Sequence, residues 1–248
     1  MKRKLLLNKR LGQHFLKNKK ILEEMARTAE ITKNDIVLEV GPGLGSLTEI
    51  LATRAKKVIA VEKDCDLIPI LRDKFLNYKN VEIIAGDILQ IFNQFKNYKI
   101  VANIPYYITS RFLRLFLSET KFRTKLMVLM VQKEVAERIC AKPPRMNLLA
   151  LSVQLYATPK IIRRVSKGQF SPQPKIDSAI IKLSNIGCLT TKPEKILQLA
   201  RLAFQQKRKM LRHSIGKKVL LPGEYQTKRP EELSLQDWTS LCATRQKG

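Results

Sequence analysis

Short apolar runs alternate with helix-like segments over the first half of the chain, and this alternation restricts the fold more than any other feature. Five runs rich in Val, Ile and Leu have the length of strands: 36–40, 58–61, 81–85, 100–102 and 125–131. Segments with apolar residues at helical spacing lie between several of them. Because strands that are joined through helices pair in parallel, the pattern predicts a doubly wound α/β fold with a mostly parallel sheet.

The pattern is less regular after residue 131. Residues 132–140 predict a helix, and 148–156 predict a helix end that runs into a strand. The polar residues around 163–168 predict a connection without regular structure, and 177–183 predict a last strand. The α/β pattern therefore extends to about residue 185.

The last quarter of the chain shows helical patterning only. Apolar residues at helical spacing over 196–215 predict one long basic helix, and a second helix is predicted around Trp238. We therefore predict two domains, residues 1–185 and a small all-helical domain at 186–248.

The chain is strongly basic, with 47 Lys and Arg against 21 Asp and Glu and a net charge of +26. The positive charge is clustered, because residues 1–20 hold eight Lys or Arg and no acid. Residues 192–218 hold nine Lys or Arg and one acid. Such an excess favours a polyanionic partner, a nucleic acid first and an anionic membrane second.

Cysteine and histidine usage argues against a metal site. The four cysteines form no C-x-x-C pair and there are only two histidines, so we predict no metal. Scattered cysteines are typical of a reducing compartment. No apolar run approaches the roughly 20 residues of a membrane span. We expect a cytoplasmic protein that does not insert into membranes.

A glycine-rich turn follows the first predicted strand. Residues 41–45 have a G-x-G-x-G pattern, and glycine lets the backbone approach a ligand closely. Ser46 departs from the dinucleotide pattern G-x-G-x-x-G. Glu62 and Asp87 follow at the ends of the next two strands, where a carboxylate can accept from ribose hydroxyls or from an adenine amine. The pattern suits NAD and S-adenosylmethionine equally.

The fourth strand leads into Asn103-Ile104-Pro105-Tyr106. Pro105 stiffens the turn, Asn103 adds a side-chain carbonyl, and Tyr106 adds a flat ring. Two acceptors and a stacking face suit an exocyclic amine on a planar base. The alternative is a strand-ending turn with a buried tyrosine, and these four residues alone favour neither.

Six short motifs occur in order between about residues 10 and 183. They are Gln13-His14-Phe15-Leu16, Glu39-Val40-Gly41-Pro42-Gly43-Leu44-Gly45, Gly86-Asp87, Asn103-Ile104-Pro105-Tyr106, Gln132-Lys133-Glu134-Val135-Ala136 and Phe170-Ser171-Pro172-Gln173-Pro174-Lys175-Ile176-Asp177-Ser178. Together they resemble the ribosomal RNA adenine N6,N6-dimethyltransferases, and most of all the bacterial small-subunit branch.

This resemblance implies a class I S-adenosylmethionine-dependent methyltransferase with a Rossmann-like, seven-stranded sheet. The family usually has Asn at the position of His14, where an imidazole can still donate or accept one hydrogen bond. The cofactor contacts that the resemblance implies are His14, Leu16, Gly41, Gly43, Glu62, Asp87 and Asn103.

The resemblance also implies dimethylation at N6 of two adjacent adenines in a loop near the 3′ end of 16S rRNA, with a role in subunit biogenesis. Asn103 and the backbone around Pro105 would hold the amine, and Tyr106 would stack on the base. Phe170 would cover its other face, unless it is a core aromatic before a proline turn.

The implied partner is 16S rRNA within the small (30S) ribosomal subunit, and we expect a monomer. Four basic residues of the C-terminal segment would contact the RNA phosphates: Lys207, Arg208, Lys209 and Arg212.

Three alternatives stay open. One is the family branch that methylates 23S rRNA and confers antibiotic resistance, although its glycine turn usually lacks the Pro42-Gly43-Leu44 pattern. A second is a non-catalytic RNA-binding assembly factor on the same scaffold. An NAD-dependent enzyme ranks third, because of Ser46 and because no recognisable motif supplies a residue that handles hydride.

Overall fold

The computed structural model describes residues 14–187, 190, 192–216 and 218–243. Nine strands occur in these residues: β1 (Phe15–Leu16), β2 (Ile36–Val40), β3 (Lys57–Glu62), β4 (Val81–Ala85), β5 (Tyr98–Asn103), β6 (Met127–Gln132), β7 (Thr158–Val165), β8 (Phe170–Ser171) and β9 (Ser178–Ser184). Seven of them form one sheet in the order β4-β3-β2-β5-β6-β9-β7, while β1 and β8 pair with each other.

Parallel pairing dominates the large sheet. The pairs β2–β3, β2–β5, β3–β4 and β5–β6 are parallel, and β6–β9 is antiparallel. The prediction of a mostly parallel, seven-stranded sheet is therefore confirmed. The strand order reverses between β2 and β5, and ligands of open α/β sheets bind at the carboxyl ends of the strands at such a point.

The α-helices of the described residues are α1 (Lys19–Thr28), α2 (Ser46–Ala52), α3 (Leu67–Lys74), α4 (Ile88–Ile91), α5 (Thr109–Arg114), α6 (Lys133–Ile139), α7 (Leu148–Gln154), α8 (Pro193–Phe204), α9 (Leu211–Ser214), α10 (Gly223–Gln226) and α11 (Leu235–Ala243). The helices α1 to α7 lie between strands, and α8 to α11 follow the last strand. None of these helices is long and apolar enough to cross a membrane.

The central strand β6 is buried because its sequence is apolar without interruption up to Val131. All five residues from Met127 to Val131 in β6 have no exposed surface. A strand covered on both faces needs such a run, whereas a strand with one wet face alternates. The amphipathic helix α1 packs Ile21, Leu22 and Met25 into the same core.

One prediction about the strands is wrong. Residues 163–165, predicted as part of a polar connection, belong to β7. This strand is the last in the sheet order. Its exposure is mixed, with Arg163 and Arg164 open to solvent and Val165 buried. An edge strand tolerates charged side chains, so its sequence lacks the apolar run of a central strand.

The chain folds into two compact units. The first combines residues up to 136 with 160–186, and the second combines 137–159 with 187–248. Residues 137–159 were predicted as part of the first domain, so the compact units differ from the predicted limits by this segment. Long-range bonds within the second unit explain the difference, since Met146 N donates to Glu231 O at 3.0 Å. The sequence pattern gives no sign of such a contact.

The long basic helix predicted over 196–215 is also wrong. The helix α8 ends at Phe204, residues 205–210 form a turn, and α9 begins at Leu211. The apolar stripe of α8 reaches Ala203, and the next position on that face, one turn later, is Lys207. Because lysine is rarely buried, a continuous helix would place a charge on the packed face.

Candidate active site at the carboxyl ends of the strands

One cavity in the first compact unit lies at the carboxyl ends of β2, β3, β4 and β5. It encloses about 1090 Å³ of empty space, part of which is open to solvent. The predicted site residues that line it are His14, Leu16, Gly41, Gly43, Glu62, Asp87, Asn103, Pro105 and Tyr106. The structure thus brings together all the predicted cofactor contacts and three of the four predicted catalytic residues.

The glycine turn contacts the first of the strand-end acids. Gly43 has a φ of +61°, and a Cβ atom there would lie 2.7 Å from the Phe15 ring, so only glycine fits. Its N–H donates to Glu62 Oε2 at 3.1 Å. Glu62 Oε1 accepts from the backbone N–H groups of Lys63 and Asp64, both at 2.9 Å. Burial raises the pKa of Glu62, although these three donors oppose the shift.

Glu39 also lines the cavity, although no role is predicted for it from the sequence. It lies in β2, is 2% exposed, and its Oε2 atom has no hydrogen-bond partner among the described residues. Burial raises the pKa of Glu39 to about 8, and the nearby Glu62 carboxylate adds to the shift. Glu39 lies two residues before the glycine turn, at the end of a buried strand. This position is the sequence signal that could have identified it as a site residue.

Asp87 marks a more open part of the cavity. Its Oδ1 accepts from Leu89 N at 3.0 Å, and its Oδ2 forms an ion pair with Lys63 Nζ at 2.9 Å. Burial raises the pKa of Asp87, but the Lys63 ammonium and the Leu89 N–H outweigh burial, and the pKa falls below its ordinary value. Asp87 is therefore ionised at neutral pH.

In the turn after β5, Asn103 and Pro105 each form a hydrogen bond within the protein. Asn103 Nδ2 donates to the His14 carbonyl at 3.1 Å, which leaves the Oδ1 atom as the free acceptor of the amide. The Pro105 carbonyl accepts from Ile108 N at 3.1 Å, in a 3₁₀ turn over Tyr106–Ile108. Ile104, the residue before Pro105, also lines the cavity.

The segment that carries His14 is fixed by β1. Phe15 and Leu16 pair antiparallel with Ser171 and Phe170. His14 Nδ1–H donates to the Pro172 carbonyl at 2.7 Å. Two motifs that lie more than 150 residues apart therefore meet beside the cavity, which sequence spacing cannot show.

The rings near Asn103 differ from the predicted arrangement in one respect. The His14 and Tyr106 rings are stacked, with centroids 5.9 Å apart and planes at 26°. The Tyr106 hydroxyl bonds to Ser178 Oγ at 2.9 Å. Phe170, predicted to cover a bound base, is 3% exposed and packs in the core with Leu16 and Leu22. This burial favours the core-aromatic alternative for Phe170, and its role at a bound base stays a prediction.

The charge of the cavity is opposite to that of the chain. Glu62 and Asp87 contribute two carboxylates against one lysine, Lys63, and Glu39 adds a third carboxyl whose raised pKa of about 8 keeps it mostly neutral at pH 7. An acidic cavity in a chain of net charge +26 suits a small cationic ligand rather than the polyanion that the surface favours. S-adenosylmethionine carries a sulfonium, an ammonium and a carboxylate, so it is a net cation, and it also has ribose hydroxyls and an adenine amine for carboxylate acceptors. The cavity residues therefore fit this cofactor.

The predicted RNA contacts lie in the second compact unit. Lys207, Arg208 and Lys209 are exposed in the turn after α8, and Arg212 is exposed in α9. Arg212 Nε donates to His213 Nε2 at 3.0 Å. The basic residues between positions 1 and 13 lie outside the described part of the chain.

Solved structures with the same fold include RNA methyltransferases. A dimethyladenosine transferase from Plasmodium falciparum superposes with a TM-score of 0.81 at 31% identity, covering 92% of this chain and 96% of that one. The 23S rRNA methyltransferase ErmE superposes with a TM-score of 0.78 at 26% identity, covering 92% and 98%. The fold and the acidic strand-end cavity define a class I S-adenosylmethionine-dependent methyltransferase.

The family follows from the sequence comparison. The profile described as "Ribosomal RNA adenine dimethylase" matches residues 4–237. A "Ribosomal RNA small subunit methyltransferase A" from Dehalococcoides mccartyi is 44% identical over 255 aligned positions, which cover 94% of this chain and 87% of the relative. The chain belongs to the ribosomal RNA adenine dimethylase family, and it is an S-adenosylmethionine-dependent enzyme that methylates rRNA adenine.

Proposed function

We propose that this enzyme dimethylates N6 of two adjacent adenines in a loop near the 3′ end of 16S rRNA, within the small ribosomal subunit. One observation carries the proposal: the Asn103-Ile104-Pro105-Tyr106 turn lines the same cavity as the three acids that suit the cofactor. The name of the Dehalococcoides relative supports the small subunit as the substrate. We further propose that the enzyme acts as a cytoplasmic monomer in subunit biogenesis.

The cofactor would be held by residues from four strand ends. Glu62 would accept from the ribose hydroxyls and Asp87 from the adenine amine, while Gly41 and Gly43 allow close backbone approach. His14, Leu16 and Asn103 would complete the binding site. When bound, S-adenosylmethionine supplies an activated methyl group.

Asn103 would orient the target amine. The lone pair of adenine N6 is delocalised into the ring, so N6 is a poor nucleophile unless its protons are held. The Asn103 Oδ1 atom and the Ile104 carbonyl are suited to accept these protons, because Asn103 Nδ2 already donates to His14 and the Pro105 carbonyl already accepts from Ile108. The contribution of Pro105 is thus to fix the turn. Positioning and electrostatics would account for most of the rate enhancement.

Tyr106 would stack on the target base. Its ring lines the cavity, and the bond to Ser178 Oγ fixes the ring plane. The base must leave its own stack, or already lie in an open loop, to reach this position.

Glu62→Gln should weaken S-adenosylmethionine binding by about 10- to 100-fold, since a hydrogen bond to a charged group contributes roughly 1.5–3 kcal/mol. Glutamine is preferable to alanine here, because Glu62 also accepts three backbone N–H bonds. Titration calorimetry measures the affinity, and Glu82→Gln, at an exposed acid of β4, is the control. Equal affinities for wild type and Glu62→Gln would refute the ribose assignment.

Reversing the charges of Lys207, Arg208 and Lys209 to Glu should weaken RNA binding and reduce the slope of log affinity against log salt by about two to three, since each lost phosphate contact removes roughly 0.7–0.9. The matched control reverses Lys56, Arg72 and Lys79, which are exposed in the first compact unit. Filter binding at several salt concentrations gives both slopes. Equal slopes for the two triple variants would show that the predicted cluster has no special role.

The proposed substrate can be tested with methyl-labelled cofactor and purified ribosomal subunits. We expect label in N6,N6-dimethyladenosine from small subunits isolated without this modification, and none from large subunits. Label in the large subunit would favour the antibiotic-resistance branch. Cofactor binding without any transfer would favour a non-catalytic assembly factor.

A further inference from the structure

An exposed aromatic ring stands at the rim of the cavity, next to the ring proposed to hold the target base. Tyr107 lines the cavity and is 58% exposed. The other large apolar side chains of the described residues with comparable exposure are aliphatic: Ile70, Leu76, Ile176 and Leu220. An exposed ring beside a ligand cavity offers a flat face on which a nucleic-acid base can stack.

The backbone explains why two successive tyrosines have different surroundings. Tyr106–Ile108 is a 3₁₀ turn, in which successive side chains point about 120° apart, since the turn has roughly three residues. Tyr106 is half-buried and bonded to Ser178, whereas Tyr107 is exposed. The turn therefore presents one ring inside the cavity and one ring outside it.

Positive charge lies close to the outer ring. Arg111 is exposed in α5, which begins directly after the 3₁₀ turn that carries Tyr107. It forms no ion pair among the described residues. Lys63 lines the cavity, is 53% exposed in its side chain and pairs with Asp87. Burial and Lys63 have the largest effects on the pKa of Asp87, and the Arg111 guanidinium lowers it further, so the Arg111 charge acts on a carboxylate of the cavity.

We propose that Tyr107 and Arg111 form a platform for the nucleotide next to the target adenine. Tyr107 stacks on the neighbouring base, and Arg111 neutralises the phosphate that links the two nucleotides. Aromatic stacking with adjacent cations is how proteins hold single-stranded RNA. On a substrate with two adjacent adenines, the platform holds the adenine that is outside the cavity. The proposal rests on the proposed function, because it needs the target base at Tyr106.

The test combines protein variants with RNA that lacks one base. The ligand is a synthetic hairpin with two adjacent adenines in its loop, bound in the presence of S-adenosylhomocysteine so that no methyl transfer occurs. Tyr107→Ala should weaken binding by about 5- to 100-fold, the range expected for loss of one stacked base. With an abasic neighbour on the correct flank, Tyr107→Ala and wild type should bind equally. Tyr107→Phe should retain the affinity on the intact hairpin.

Further variants separate the two roles. Arg111→Gln should lower the salt slope by about one, as expected for one phosphate contact. Leu76→Ala, at a 79% exposed position after α3, is the control and should bind as wild type. The platform is refuted if Tyr107→Ala binds the intact hairpin as wild type, or loses as much affinity with either abasic flank as without one.

Tyr106 provides the comparison with the proposed function. Tyr106→Ala should lose affinity on the intact hairpin but not on one with an abasic target position. Suppose that the abasic target position removes the affinity loss of Tyr106→Ala, but the abasic neighbour does not remove that of Tyr107→Ala. Then only the platform is refuted. If neither abasic position removes the loss of its variant, the placement of the target base at Tyr106 is refuted as well.

Discussion

Asn103→Ala is expected to slow methyl transfer from bound cofactor by two or more orders of magnitude, roughly the effect of losing one contact made in the transition state. The Asn103 Nδ2–H bond to the His14 carbonyl fixes the amide, so that Oδ1 is the atom available to the target amine. Single-turnover methylation of small subunits, at saturating enzyme and cofactor, measures this step apart from binding.

Two further substitutions separate the roles of the turn. Asn103→Asp keeps the oxygen acceptors but loses the donor to His14, so it should retain more activity than Asn103→Ala. Tyr106→Phe keeps the ring and loses the bond to Ser178, at about 1 kcal/mol, whereas Tyr106→Ala loses stacking of about 1–3 kcal/mol as well. A wild-type rate for Asn103→Ala would show that the turn is structural. Equal loss in the two Tyr106 variants would show that the hydroxyl matters more than stacking.

Glu39→Gln is expected to remove a large pH-dependent cost from the ligand-free enzyme. Burial raises the pKa of Glu39 from 4.5 to about 8, so the folded state favours the neutral acid. This group then has no effect on the free energy of unfolding below pH 4.5. It lowers that free energy as the pH rises towards 8, and its effect is constant above pH 8. One pKa unit corresponds to about 1.4 kcal/mol, so the total loss is on the order of 5 kcal/mol.

Chemical unfolding of wild type and Glu39→Gln at pH 5 and pH 8 measures this effect. The quantity compared is how much the stability difference between variant and wild type changes from pH 5 to pH 8. Any pH-independent cost of the glutamine amide therefore cancels. The free energy of unfolding of Glu39→Gln should increase relative to that of wild type as the pH rises. Beyond burial, Thr48 and Lys74 lower the pKa of Glu39 and the Glu62 carboxylate raises it, so Glu62→Gln should reduce the pH-dependent loss that Glu39 causes. A difference that does not change with pH would mean that Glu39 is ionised in the folded enzyme.

The contrast between cavity and surface has a functional consequence. A cationic cofactor and a polyanionic RNA need opposite electrostatic environments, and the chain supplies both. Glu62 and Asp87 line the cavity, with Glu39 as a third and mostly neutral carboxyl, while exposed basic residues occur beside the cavity, at Lys63, and on the second unit, at Lys207–Lys209. The target base has to cross from one environment to the other as a neutral group, which suits an adenine freed from its stack.

Local patterns determined the parts of the fold that depend on backbone periodicity. Apolar runs predicted the strands β2 to β6, and the run of β6 has no polar residue before Gln132 because this central strand is covered on both faces. The glycines at 41–45 and the proline at 105 predicted turns at strand ends, since backbone geometry limits which residues fit there. Parallel strands bring their carboxyl ends to one edge, so the order of strands and turns was enough to place Glu62, Asp87 and Asn103 together.

Only the tertiary structure decided what depends on which distant segments meet. The pairing of β1 with β8 buries Phe170 and places His14 against Tyr106, although neither segment has a local pattern that specifies its partner. The grouping of residues 137–159 with the C-terminal segment has the same origin. The state of Glu39 also depends on how completely its neighbours exclude water, because burial and the adjacent Glu62 set its pKa. A sequence specifies that carboxyl, but the packing around it determines whether it carries a charge.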